Sequence, residues 1–281
     1  MKTRRDLPLV FLFLSAAAAT IASGPRFASG QSAPAESPAA EAPSPTPTPL
    51  TPAAMALRTT RLHAGQQDYE RWCQWCHGRE GDGRGISARR FDPHPRDFTE
   101  ANFKCRTTPS GSLPTDADLK KILSTGVHAS AMPGWTELGD MQIDDLVEWV
   151  KHYSDRFATE LVPPPVVVPP ETPSTPESIA RGAVTYTKLG CIACHGKALH
   201  GNGTSSRAQK DDDGFPLVVA DLARPNSKKC GDSPARIYTT LMTGLNGTPM
   251  PSFADGLTPE QAWDLVHFIR SREETAVSPH P

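Results

Sequence analysis

Residues 73–78 read CQWCHG, and the same pattern, Cys-x-x-Cys-His-Gly, returns at residues 191–196 as CIACHG. Each occurrence follows a helix-compatible stretch in the chain, residues 62–72 in the first case and residues 179–189 in the second. A tyrosine stands shortly before the first cysteine in both, at Tyr69 and Tyr186. A motif repeated in the same setting predicts two copies of one structural unit.

The likeness between the two copies extends beyond this motif. Each continues with a glycine-containing loop, a second helix-compatible segment, a Met-Pro pair and an aromatic residue three positions after the methionine. In the first copy these features are residues 81–83, residues 116–125, Met132-Pro133 and Trp135. In the second copy they are residues 201–203, residues 233–243, Met250-Pro251 and Phe253. Each copy closes on an amphipathic helix, with apolar residues at helical spacing over 143–150 and 263–269. Strand-like alternation is essentially absent, so the pattern predicts an all-α protein.

A Cys-x-x-Cys-His run is typical of covalent c-type haem attachment. The two thiols bond to the two vinyl groups of the porphyrin, and the histidine that follows becomes the proximal axial ligand of the iron. A thioredoxin-like redox pair is expected once, between a strand and a helix, and a zinc site needs four ligands at paired spacings. Neither fits this chain, so we expect two covalently bound haem c groups. The predicted attachment residues are Cys73, Cys76, Cys191 and Cys194, and the predicted proximal ligands are His77 and His195.

The two methionines are the candidates for the sixth ligand. Met132 follows His77 by the same number of residues as Met250 follows His195. A thioether is a neutral, soft ligand that raises the reduction potential relative to a second histidine. The alternative is that both methionines only fill core volume.

Three histidines compete for the same role: His128 in the first copy, and His200 and His267 in the second. None has a counterpart in the other copy, which favours the methionines. We expect Trp135 and Phe253 to pack near the haem faces. Two six-coordinate irons would leave no position for a substrate, which favours an electron carrier over a dihaem peroxidase.

Two cysteines are not explained by haem attachment. Cys105 and Cys230 follow Asp97 and Asp221 at almost the same distance, so they occupy matching places in the two copies. Residues near the axis of a pseudo-twofold pair meet their own equivalents, and an oxidising compartment would permit a Cys105–Cys230 disulfide. Two separate thiols, or a thiolate axial ligand, are the alternatives.

Over residues 57–275 the chain resembles a dihaem class I cytochrome c, and its tandem layout is similar to that of the c4-type dihaem cytochromes. The resemblance rests on the two attachment motifs, the two Met-Pro pairs and the closing amphipathic helices. It implies two tandem domains, each with a haem enclosed by a few short helices, and a function in electron transfer. The stretch 237–253 looks like part of the haem domains attached to periplasmic reductases, dehydrogenases and oxidases. A free carrier and a haem subunit of a larger oxidoreductase complex are both compatible with it.

Composition separates these domains from proline-rich segments. The chain has 281 residues, 29 of them proline, and a formal net charge of -2. This charge balance gives no sign of the basic stripe that nucleic-acid binding needs. We expect a Pro/Ala-rich disordered tether at 31–56, cytochrome c domains at 57–157 and 177–275, a Pro-rich linker at 158–176 and a tail at 276–281.

The N-terminus predicts export. Residues 1–30 combine early basic residues, Lys2, Arg4 and Arg5, with an apolar run and then small residues, which is typical of a signal peptide. An uncleaved membrane anchor is the alternative. We therefore expect a periplasmic protein with redox protein partners, which contacts a membrane only through this segment or through a membrane-bound partner.

Overall fold

A computed structural model describes residues 51–273 of the chain. Over this range the backbone is helical, and one isolated bridge between Lys210 and Pro216 is its only β-pairing. The predicted all-α class is confirmed. The predicted export signal, most of the predicted tether and the predicted tail lie outside the described residues.

Nine α-helices follow one another in the described range. In the first copy they are α1 (Pro52–Trp72), α2 (Gln74–His77), α3 (Asp116–Thr125), α4 (Asp140–His152) and α5 (Arg156–Thr159). In the second copy they are α6 (Pro176–Lys188), α7 (Ile192–His195), α8 (Pro234–Thr243) and α9 (Pro259–Ser271). None of the helices between residues 51 and 273 is long and apolar enough to cross a membrane.

Helix α1 begins at Pro52, well before the predicted start at residue 62, so residues 52–56 belong to a helix and not to the tether. The local reason is a start signal: the Thr51 side chain accepts a hydrogen bond from the Ala54 amide, and proline occupies the first turn. Helix α6 likewise begins earlier than the predicted residue 179. It begins at Pro176, directly after its N-cap residue Thr175.

In each copy the opening helix crosses the closing helix at a glycine. A Cβ atom on Gly65 of α1 would lie 2.1 Å from the Asp145 carbonyl oxygen of α4, and one on Gly182 of α6 would lie 2.0 Å from the Asp264 carbonyl oxygen of α9. Only glycine permits this approach of the two backbones. The crossing fixes the end of the opening helix, and therefore the position of the Cys-x-x-Cys-His motif that follows it.

The proline-rich stretch between the copies has no helix but is packed along them. The Val166 amide donates to the Thr107 carbonyl at 2.7 Å, and Val166 and Val168 contact the core of the second copy. Several hydrogen bonds also join the copies directly, and two of them involve basic side chains of the first copy. Arg106 Nη2 donates to the Thr243 carbonyl at 2.6 Å, and His128 Nδ1 lies 3.1 Å from an Asp232 carboxylate oxygen.

Candidate functional site

Each attachment motif borders a mostly apolar cavity that is open to solvent. The first cavity has an empty volume of about 1170 Å³ and the second about 1350 Å³. The structure brings the predicted site residues together there in two sets. Cys73, Cys76, His77 and Met132 line the first cavity, and Cys191, Cys194, His195 and Met250 line the second. Trp135 and Phe253 lie in the same two walls.

The short helices α2 and α7 hold the histidines in one defined orientation. His77 Nδ1 lies 2.9 Å from the Arg96 carbonyl oxygen, and His195 Nδ1 lies 3.1 Å from the Ala220 carbonyl oxygen. A carbonyl oxygen only accepts, so Nδ1 carries the proton and Nε2 keeps its lone pair for a metal ion. Burial lowers the pKa of both histidines, which favours the neutral imidazole that can bind iron.

A tyrosine fixes the turn behind each histidine. The buried Tyr69 hydroxyl donates to the Gly78 carbonyl at 2.7 Å, and the buried Tyr186 hydroxyl donates to the Gly196 carbonyl at 2.8 Å. Each hydroxyl thereby ties the long helix in front of the motif to the loop behind it.

The methionine loops have the same hydrogen bonds in both copies. The Met132 amide donates to the Ser130 hydroxyl at 3.2 Å, and the Met132 carbonyl accepts from the Val127 amide at 3.1 Å. In the second copy the Met250 amide donates to the Thr248 hydroxyl at 3.2 Å, and the Met250 carbonyl accepts from Leu245 at 3.0 Å. One loop geometry therefore presents both methionines to their cavities.

The three competing histidines have other partners. His200 Nδ1 lies 3.2 Å from an Asp221 carboxylate oxygen, and the buried His267 Nδ1 lies 3.0 Å from the Ser178 hydroxyl. His128 contacts Asp232 across the boundary between the copies. None of the three is among the residues that line the described cavities.

The residues of the cavities suit a covalently held haem. Burial raises the pKa of the Cys73 thiol to about 12 and that of Cys191 to about 11, which disfavours the thiolate that a redox-active cysteine pair needs. The Trp135 indole N–H, in the wall of the first cavity, is buried without an acceptor among the residues described. A buried donor of this kind usually has a partner, which an occupant of the cavity could supply.

Cys105 and Cys230 form a disulfide between the two copies. Cys105 also lines the first cavity and Cys230 the second, so the bridge lies between them. Both sulfurs are engaged in it, which leaves neither as a thiolate ligand.

Sequence reasoning missed three basic residues near this bridge, Arg96, Lys104 and Lys229, which line the first cavity. A signal was present, because a lysine directly precedes each bridging cysteine, in Lys104-Cys105 and in Lys229-Cys230. Their meeting depends on contacts between the copies, which no local pattern reports.

Comparison with known proteins places these features in a family. A family model described as "Cytochrome C oxidase, cbb3-type, subunit III" matches residues 60–150 and 177–269, which together are more than half of the chain. The cbb3-type cytochrome c oxidase subunit FixP of Sinorhizobium medicae (strain WSM419) is 28% identical over 111 residues. That alignment spans 37% of this chain and 33% of FixP, so only about a third of the curated relative's length is matched.

A solved structure is more similar. A chain from the Kuenenia stuttgartiensis reducing HAO-like protein complex Kustc0457/Kustc0458 is 40% identical and superposes with a TM-score of 0.73. The match covers 75% of this chain and 96% of that chain.

Proposed function

This chain belongs to the family of cytochrome c oxidase, cbb3-type, subunit III, and we propose that it transfers electrons through two covalently bound haem c groups, each ligated by one histidine and one methionine. Membership of this family supports haem binding and electron transfer as the general function. A single observation carries the finer proposal. In each copy the structure gathers two cysteines, one oriented histidine and one methionine in the wall of a single apolar cavity.

Each residue type has a distinct part in this function. The four attachment cysteines hold the cofactor in place, and the hydrogen bonds to His77 and His195 aim Nε2 toward the iron site. The two methionine loops present a soft ligand from a second chain segment, which favours ferrous iron. When bound, the haem iron supplies a one-electron ferric/ferrous couple. The apolar cavity walls limit the water around that couple, and so limit the reorganisation that electron transfer requires.

Variants of the two methionines test the ligand assignment. In redox titrations of the haem-loaded protein, we expect Met132→Ala to lower one of two reduction potentials and Met250→Ala to lower the other, because each replaces a ligand that favours ferrous iron. Each variant should also weaken the long-wavelength absorption band that marks Met–iron coordination. Met141→Ala is the matched control, because Met141 is 73% exposed and lies in neither cavity wall. Unchanged potentials and an unchanged band in both cavity variants would contradict the assignment.

The same spectra separate a carrier from a dihaem peroxidase. A carrier with two six-coordinate irons gives low-spin ferric spectra and reacts slowly with peroxide. A persistent high-spin ferric signal with rapid peroxide reaction would favour the peroxidase.

A second candidate function is that of a haem subunit within a larger oxidoreductase complex. The observation that favours it is the similarity, across 96% of the matched chain, to a component of a multiprotein complex. We further propose that the protein works on the periplasmic side of the membrane, where the Cys105–Cys230 disulfide could persist. Size-exclusion chromatography of native extracts tests the choice: a free carrier elutes near the size of this chain alone, and a subunit elutes with a larger haem-containing assembly.

A further inference from the structure

The first copy exposes large apolar side chains beside its Cys-x-x-Cys-His motif. Trp72 is 39% exposed, Trp75 is 52% exposed and Ile86 is 80% exposed. They lie on two adjoining segments, because the Ser87 amide donates to the Trp75 carbonyl at 2.9 Å and a Cβ atom on Gly85 would lie 2.4 Å from the same oxygen. Exposed apolar residues are ordinary when they are scattered, whereas a contiguous group of them marks an interaction site.

Three exposed arginines flank these apolar side chains. The guanidinium carbon of Arg71 lies 4.8 Å from the centroid of the Trp72 ring. Arg84 and Arg90 lie in the loop before and after Ile86. In the part of the chain that the structure describes, no carboxylate oxygen lies within 4.0 Å of the side-chain nitrogens of these arginines.

Two acidic residues interrupt the arginines without pairing with them. Glu80 is exposed, and the Asp82 carboxylate accepts a hydrogen bond from the Arg84 backbone amide at 3.0 Å. Residues 71–90 contain five arginines and only these two carboxylates, so the surface keeps a positive charge. Residues 1–50 could not neutralise it, since they carry three carboxylates and four basic side chains.

The second copy lacks this surface at the equivalent positions. Its Ser205 amide donates to the Ala193 carbonyl at 2.8 Å, which is the counterpart of the hydrogen bond from Ser87 to Trp75. In this alignment Trp72, Trp75 and Ile86 correspond to Gly190, Ala193 and Thr204, and Arg71, Arg84 and Arg90 correspond to Leu189, Asn202 and Ala208. The fold and the Cys-x-x-Cys-His motif therefore do not require these six side chains of the first copy.

We propose that these six side chains form the docking surface for a separate protein subunit, which presents carboxylates around an apolar centre. The inference rests on the proposed function, and specifically on this chain being a subunit of an oxidoreductase complex. Tryptophan and arginine are among the residues that contribute most to protein–protein binding once they are buried. The arginines require a partner surface of opposite charge. A second copy of this chain would bring like charges together, which disfavours self-association through the same surface.

The docking surface borders the first cavity. Trp72 lines that cavity, and its ring centroid lies 5.7 Å from that of Trp135, which lies in the cavity wall. None of the six side chains lines the second cavity. The first copy is therefore the one that faces the partner subunit.

Size-exclusion chromatography of native extracts tests this inference on the haem-loaded full chain. The wild type should elute with a larger assembly, whereas the double variant Trp75→Ala/Arg84→Asn should elute at the size of the chain alone. This variant introduces the residues that the second copy has at both positions, so the fold should tolerate it. Val184→Ala/Arg224→Asn is the matched control, because it removes an exposed apolar side chain and an exposed arginine from the second copy. The control should elute with the assembly.

The affinity of each variant for the subunit recovered from the wild-type assembly separates the two contributions. Trp75→Ala should raise the Kd roughly 30-fold, as expected for a residue that becomes buried at the centre of an interface. Arg84→Glu should raise the Kd about tenfold more than Arg84→Asn does, because it places a carboxylate against the carboxylates of the partner. Equal effects of the two Arg84 variants would overturn the acidic character of the partner.

The outcomes distinguish this inference from the proposed function. If the double variant stays with the assembly, or the control variant also leaves it, the docking surface is wrong and the subunit function stands. If the wild type elutes alone, the subunit function itself fails. The inference is also overturned if the purified chain forms a dimer, or binds phosphatidylglycerol vesicles, in a manner that Trp75→Ala abolishes. Two reversibly reducible haems in the wild type would leave electron transfer intact in each of these cases.

Discussion

The disulfide between the two copies should account for a large part of the stability of the molecule. It closes a loop with a sequence separation of 125 residues. The chain-entropy relation for a loop of that length gives about 4.9 kcal/mol at 25 °C, because the bridge restricts the unfolded chain. For a protein of this size, each kcal/mol corresponds to roughly 2–4 °C in Tm, so removal should lower the Tm by about 10–20 °C.

The double variant Cys105→Ala/Cys230→Ala is the perturbation of choice, because it leaves no unpaired thiol behind. Hydrogen bonds such as that from Arg106 to the Thr243 carbonyl remain in the variant, so the native contact between the copies is not lost with the bridge. The effect should therefore act through the unfolded ensemble, and it should appear in the Tm more than in the native spectrum.

Far-UV circular dichroism monitors thermal unfolding under non-reducing conditions and gives the change in Tm. The wild type and the variant should be matched in haem content. The double variant with and without a thiol reductant serves as the control, since a reductant should shift the Tm of the wild type only. A Tm of the double variant within about 2 °C of the wild type would refute the reasoning. So would two titratable thiols in the denatured, non-reduced wild type.

Two other sets of variants test the packing. Gly182→Ala and Gly65→Ala should each destabilise the protein by about 3 kcal/mol or more in urea titrations, because the new methyl group would overlap a helix carbonyl. Gly256→Ala, whose Cβ would meet nothing closer than 3.9 Å, is the control, and equal effects at all three sites would contradict the tight crossing. Arg106→Met should cost about 3 kcal/mol, because it removes a charged donor from the Thr243 carbonyl and from two nearby carbonyls. A change below about 1 kcal/mol would show that solvent replaces those hydrogen bonds.

Much of the fold followed from local patterns. The all-α class and the predicted helices at 116–125 and 233–243 are confirmed, because apolar spacing and capping residues act within a few positions of one another. The early start of α1 was missed although Thr51-Pro52 is a local start signal, since the surrounding composition favoured a tether. The prediction of haem attachment rests on a pattern that is equally local, because the Cys-x-x-Cys-His motif spans five consecutive residues.

The sequence by itself determined what neighbouring residues form together: two Cys-x-x-Cys-His motifs that predict haem attachment, a repeated unit and a helical class. Only the tertiary structure decided that Cys105 meets Cys230, that the proline-rich stretch packs along both copies, and that Lys229 reaches the first cavity. These contacts join residues far apart in the chain, and their energies depend on how the two copies pack. Packing is a property of the whole folded molecule, so no local pattern of residues could report these contacts.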